Sequence, residues 1–235
     1  MDIEINREKK TVELSMIDQI KEAINMIDKE LKEGITCPAY RDLFESYKGK
    51  SPELDKNRKE TFHSIVVKLL LITKRMRPVI KTAISYLTTR VAKSNERDWF
   101  KMKRVLSFLK GTINDRRIIG ASSLHDLYTW INAAYTVHDN MRGHTGGVMS
   151  FGTGIIHAKS SKQKINVKSM TESELVGASE YCPYNIWQMM FMEHQGYPLY
   201  KNILFQDNQS TIKMHKNRRN LCTRNSRHIH IRYFL

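Results

Sequence analysis

The chain changes periodicity near Gly120, and that change constrains the fold more than any other feature. Upstream, apolar residues recur at helical spacing; downstream, short β-prone runs separated by glycine surround one long helical stretch. Ile17, Ile20, Ile24, Ile27 and Leu31 draw one stripe down a helix that ends at Gly34. The stripe spans roughly two heptads, short of the ~3–4 that argue for a coiled coil, so it packs on a neighbouring helix or faces a partner. Cys37 to Asp55, with Pro38, Gly49 and Pro52, reads as a connecting loop. Three helices should follow. The first runs from Asp55 to Arg75 and stops near Arg77, because Pro78 disfavours a helical predecessor. The second presents Val79, Ile80, Ala83, Ile84, Leu87 and Val91 on one side. The third starts at Ser94 or Asn95 as N-cap and stops before Gly111, with Trp99, Met102, Val105, Leu106 and Leu109 facing inward. Residues 1–120 are therefore expected to be all-helical.

After Gly120 the β-prone runs are Leu127 to Ile131, Val148 to Phe151, Ile155 to Ala158, Ile203 to Phe205 and Ile229 to Phe234, around a helix from Glu172 to His194. Strands around a central helix predict an α/β domain over 121–235.

A net charge of +15 points to a polyanionic partner, since cations that neutralise phosphates release counterions. A hydrophobic fraction of 40% excludes a disordered tail and supports one or two cores. Cys37, Cys182 and Cys222 stand far apart with no paired spacing, which excludes a disulfide framework or zinc site and fits a reducing compartment, cytoplasmic or nuclear. The N-terminus has no apolar signal core, and the longest apolar run, Ile65 to Ile72, is broken by Lys68. A soluble intracellular protein with no membrane partner is expected.

Two carboxylates lie at the ends of neighbouring elements, where they could share a cation: Glu174 in the first turn of the long helix and Asp207 just past the strand Ile203 to Phe205. Each has an ordinary explanation. Thr171 and Glu174 fit the S/T-x-x-E capping box, and Asp207 before Asn208 and Ser210 fits a helix N-cap or Asx turn.

The order of the elements and four motifs resemble the RNase H-like domain of the copia-type retrotransposon polyprotein. The motifs are HTGGVMSFGTGIIHAKSSKQK (144–164), SMTESELVGASE (169–180), FQDNQSTIK (205–213) and SRHIHIRYF (226–234). The first is similar to that family's threonine-glycine hairpin and lysine-rich stretch, and the second to its glutamate-bearing helix start. The third resembles its C-D-N-Q-S strand end, and the fourth its H-I-D-I-R-Y signature. Upstream, KRMRPVIKTAISYLTTR (74–90) and DWFKMKRVLSFLKGT (98–112) resemble the reverse-transcriptase end that precedes RNase H. The resemblance thus implies a reverse-transcriptase thumb or connection-like segment over 1–120. It implies an RNase H-like mixed sheet with flanking helices over 121–235, truncated at the C-terminus.

The resemblance further implies cleavage of the RNA strand of an RNA–DNA hybrid with two magnesium ions. Ions roughly 3.5–4 Å apart must be bridged by anionic oxygens. Glu174 and Asp207 match the family's helix and strand-end acids, but the first-strand aspartate falls on Asn132 and the late acidic position on His230. A neutral amide bridges poorly and imidazole is a poor magnesium ligand, so impaired cleavage is expected, with Glu174 and Asp207 the surviving metal ligands. Asp126 and Asp139 should project elsewhere.

No adjacent aspartate pair occurs, so the polymerase centre is missing; the rest of a reverse transcriptase could come from another copy. Phosphate contact, with hybrid or double-stranded RNA as partner, is assigned to Lys159, Lys162, Lys164 and Lys168. Lys213, Lys216, Arg218, Arg219 and Arg227 belong to the same assignment. Alternatives are a non-catalytic nucleic-acid-binding remnant on the same surface and a helix-mediated interaction module on the Ile17 to Leu31 stripe.

Overall fold

The structure, a computed structural model, describes residues 1–27, 29, 31–45 and 51–217. The chain divides into two compact units, Met1–Ile119 and Gly120–Leu235.

The first unit is not all-helical. It opens on an antiparallel hairpin of β1 (Asp2–Asn6) and β2 (Thr11–Ser15), whose sequences DIEIN and TVELS alternate polar and apolar residues with period two. Lys10 takes a left-handed φ of +53° at the turn. The following helix, α1 (Ile17–Asn25), ends well short of Gly34, which lies in an irregular segment at φ +72°. Its stripe is nevertheless consumed by the core: Ile20, Ala23, Ile24 and Ile27 are buried, and Leu31 packs against the same cluster. The structure therefore leaves that stripe unavailable to a partner, and the interaction-module reading fails.

Helix α2 (Lys56–Arg75) is capped by Asp55, which accepts from the Arg58 amide at 2.9 Å. It stops before Pro78, which opens a 3₁₀ turn, Pro78–Ile80, leading into α3 (Lys81–Thr88). Asn95 rather than Ser94 caps α4 (Glu96–Gly111), in a reciprocal box with Asp98. Phe62, Ile65, Leu69, Ile72, Ile84, Leu87, Met102 and Leu106 are fully buried between these helices. Each such side chain contributes roughly 1.5–3 kcal/mol of transfer free energy.

A short strand, β3 (Arg117–Ala121), spans the boundary. The second unit then holds β4 (Asp126–Ala134), β5 (His144–Ser150), β6 (Gly152–Thr153) and β7 (His157–Lys162). They are followed by α5 (Met170–His194), β8 (Lys201–Phe205) and α6 (Gln209–Asn217). Four strands form one mixed sheet in the order β7-β5-β4-β8, antiparallel except for β8, which lies parallel to β4. A parallel neighbour needs a crossover, and α5 supplies it.

The glycines expected in a hairpin lie inside β5 instead, paired to β4 on one side and β7 on the other. A Cβ on Gly147 would come within 2.4 Å of the Tyr181 ring, so glycine here lets α5 pack close to the sheet. β7 begins later than its apolar run suggests and carries serines and lysines, which an edge strand tolerates. The expected strand Ile229 to Phe234 lies outside the described residues.

Candidate functional site

Pairing of β4 with β8 ends at Trp130 opposite Phe205, while β4 continues to Ala134. The Ala133 amide beyond that point donates to Oε1 of Glu174 at 2.9 Å. Oε2 accepts from Nε2 of Gln206, the first residue after β8, at 3.1 Å. One carboxylate thus ties the N-terminal part of α5 to the C-terminal ends of two parallel strands, where open α/β sheets form crevices. Glu174 is buried, and burial pushes its carboxyl above the usual range. The two hydrogen bonds oppose the shift and the nearby charge of Asp207 adds to it, which places Asp207, itself exposed, within electrostatic reach.

Neither ordinary explanation of these acids holds. Ser169 caps α5 by accepting from the Glu172 amide at 3.2 Å, and Glu172 accepts from the Lys168 amide at 2.7 Å. The Thr171–Glu174 box does not form; the Thr171 carbonyl accepts from the Thr211 hydroxyl instead. Asn208, not Asp207, caps α6 by accepting from the Thr211 amide at 3.0 Å. In both helices a residue other than the acid makes the cap.

Asn132 adjoins Ala133, but strand alternation turns it to the face away from α5, where it is exposed in one line with Tyr128 and Trp130. In the sheet it forms a cross-strand row with Gly146 and Ser160. Asp126 lies at the far end of β4, 4.0 Å from Lys201, and Asp139 in the turn after it. His230 lies outside the described residues.

The donor set does not fit a pair of magnesium ions. Asn132 is neutral and lies on the sheet face away from Glu174, which leaves Asp207 as the nearest second acid. Among the described residues, no three His, Cys, Asp or Glu side chains gather as a metal site.

Of the basic candidates, Lys159 donates to the Glu180 carbonyl at 3.2 Å and lies over the Tyr184 ring, against α5. Lys162 is half-buried, while Lys164, Lys168, Lys213 and Lys216 are exposed. Arg218, Arg219 and Arg227 lie outside the described residues. Residues 120–217 carry eight Lys or Arg against seven Asp or Glu, so the chain's positive surplus resides in 1–119 and 218–235.

Two groups escape a motif reading. Gln206 bridges Glu174 and the Asn208 amide; its place just before the Asp207–Asn208 pair was the available signal. His138 and His144, both buried, share a bond of 3.0 Å, and His144 reaches the Ser160 hydroxyl at 2.6 Å. Nothing in their spacing announces that chain of contacts.

Fold and site together describe a mixed-sheet α/β unit with acids at the ends of its parallel strands. The chain is similar to the retrovirus-related Pol polyprotein from transposon TNT 1-94 of Nicotiana tabacum, with 28% identity over 176 residues. The similarity covers 74% of this chain and 13% of that polyprotein, so the chain spans a small part of its relative. The homology is to a retrotransposon polyprotein and does not single out one of its parts. No family model matches the chain, and no solved structure matches it. No helix among the described residues is long and apolar enough to cross a membrane.

Proposed function

We propose that Gly120–Leu235 is a retroelement-derived RNase H-like domain that holds RNA–DNA hybrid or double-stranded RNA, with strand cleavage impaired. Residues 1–119 are then a reverse-transcriptase thumb or connection-like segment, acting inside the cell, with the polymerase part supplied by another copy. The succession of β4, β5, β7, α5, β8 and α6 along the chain supports the reading, because it follows the element order the motif resemblance implies. One observation carries it. Ser169, Glu172 and Asn208 cap α5 and α6, so Glu174 and Asp207 stand at adjacent strand ends without a capping role.

The donor set favours the non-catalytic form of this reading. With Asn132 and His230 at two of the four expected acidic positions, the negative charge needed to bridge two divalent ions is halved. Phosphate contact would fall to the exposed Lys164, Lys168, Lys213 and Lys216, with Arg218, Arg219 and Arg227 following in sequence.

A labelled RNA–DNA hybrid tests both halves. Binding should weaken steeply as salt rises, and the wild type should show little magnesium-dependent turnover above that of a Glu174→Gln variant. Affinity that stays flat with salt overturns the binding half. Clear magnesium-dependent turnover by the wild type that Glu174→Gln abolishes overturns the impairment.

A further inference from the structure

We propose that the C-terminal half of α5 is a self-association face, on which a second copy of this chain docks as an antiparallel two-fold pair. The polarity of the helix is inverted there. Asn185 is 6% exposed and faces the sheet, where it donates to the Thr129 hydroxyl at 2.8 Å and exchanges two hydrogen bonds with Asn202. Pro183, Tyr184, Ile186, Trp187, Met190 and Phe191 are exposed instead, Trp187 at 62% and Met190 at 51%. A helix that is apolar on its solvent side as well has a second face to cover.

These side chains are arranged as a packing surface. Pro183, Trp187 and Phe191 stand at i, i+4 and i+8, and Ile186 and Met190 form the row beside them; such rows are the ridges that interlock when two helices cross. The Trp187 and Phe191 rings stack with centroids 5.3 Å apart, and Tyr184 stacks on His157 with Lys159 over its ring. Tryptophan, tyrosine, phenylalanine and methionine are the residues enriched at the centres of protein interfaces.

Charge selects the occupant. From Tyr181 to Met192 the helix has no charged residue, so it offers no row of cations to a nucleic-acid backbone. Glu180 and Glu193 flank that stretch and oppose an anionic lipid surface, which binds helices with cationic flanks. Copies of a chain with net charge +15 repel one another, and an uncharged face lets two of them meet without opposing like charges. Lys159 lies at the Tyr184 end of this face and Glu193 at the other. Trp187 stands midway between Tyr184 and Phe191, so an antiparallel pair centred on it carries each Lys159 toward the Glu193 end of the other copy. The pairing does not rest on the RNase H-like reading.

Sedimentation velocity of the full chain through the micromolar range tests the proposal, and the expected result is a concentration-dependent dimer. Trp187→Asp should weaken that dimer roughly 30-fold or more, as loss of a central interface aromatic does. Met190→Lys gives a second reading on the adjoining row. Both residues are exposed, so their replacement spares the core, and an unchanged circular dichroism spectrum checks it. Val67→Asp, which removes an exposed apolar side chain from α2 of the first unit, should leave the dimer as it is. A monomer throughout the range overturns the proposal. So does a dimer that Trp187→Asp and Met190→Lys leave intact, or one that Val67→Asp weakens as much as they do.

Discussion

The Ala133 amide donates to the Glu174 carboxylate at 2.9 Å, across 41 residues of sequence. A buried acid therefore stands where a strand runs past its partner, and the hydrogen bond satisfies an amide that the ladder leaves over. Desolvation outweighs the bonds it accepts, so the folded chain disfavours its ionised form relative to the unfolded chain.

Replacing that charge should change stability little. Glu174→Gln keeps an acceptor for the Ala133 amide but loses the one for Gln206 Nε2, so relief of the buried charge and the lost hydrogen bond should nearly offset and stability at pH 7 should stay within about 1 kcal/mol. Urea denaturation measures it. A loss above roughly 2 kcal/mol would make Glu174 a structural support in its ionised form.

Adjacent glycines in β5 should respond unequally. A Cβ on Gly147 meets the Tyr181 ring at 2.4 Å, whereas one on Gly146 meets nothing closer than 3.9 Å. Gly147→Ala should cost about 1–3 kcal/mol and Gly146→Ala less than about 0.5 kcal/mol. Equal effects in thermal unfolding would contradict the packing of α5 on this sheet.

The start of α5 offers a second contrast. Ser169→Ala should cost about 1 kcal/mol because it removes the acceptor for the Glu172 amide, whereas Thr171→Ala should stay within about 0.5 kcal/mol. A reversed order would restore the Thr171–Glu174 capping box.

Acid should weaken the second unit through its histidine pair. Burial, with Lys162 and then Asp139 acting in opposite senses, lowers His138 from 6.5 to about 4. Burial and the neighbouring His138 lower His144 from 6.5 to about 3. The unfolded chain then binds more protons below pH 6.5, so this contribution is complete above that pH and is lost as pH falls toward 4 and 3. The urea midpoint should fall between pH 6.5 and 5, before most carboxylates titrate. A His138→Gln/His144→Gln variant should show a flatter profile, and an unchanged slope would refute the linkage.

Much of the architecture was written in local patterns. The run before Pro78 stops where proline demands, the Asn95 cap opens its helix, and the helical stretch ending at His194 sits between strands as its length requires. The opening hairpin was legible too: DIEIN and TVELS alternate with period two, a signal overshadowed by the helical stripe beside it. The resemblance put a hairpin at the threonine-glycine run, yet Gly146 and Gly147 lie within β5, because a glycine that permits a turn and one that admits a neighbouring ring look the same in a string of letters.

The chain order alone determined which residue types stand where: carboxylates at Glu174 and Asp207, an amide at Asn132, an imidazole at His230, and a net charge of +15. Only the tertiary structure decided what those residues are free to do. Whether a serine or its neighbour caps a helix turns on single hydrogen bonds. Whether a carboxylate is buried against an amide 41 residues away depends on how far a parallel strand extends. Both are set by packing between distant segments, whose energies no local pattern carries.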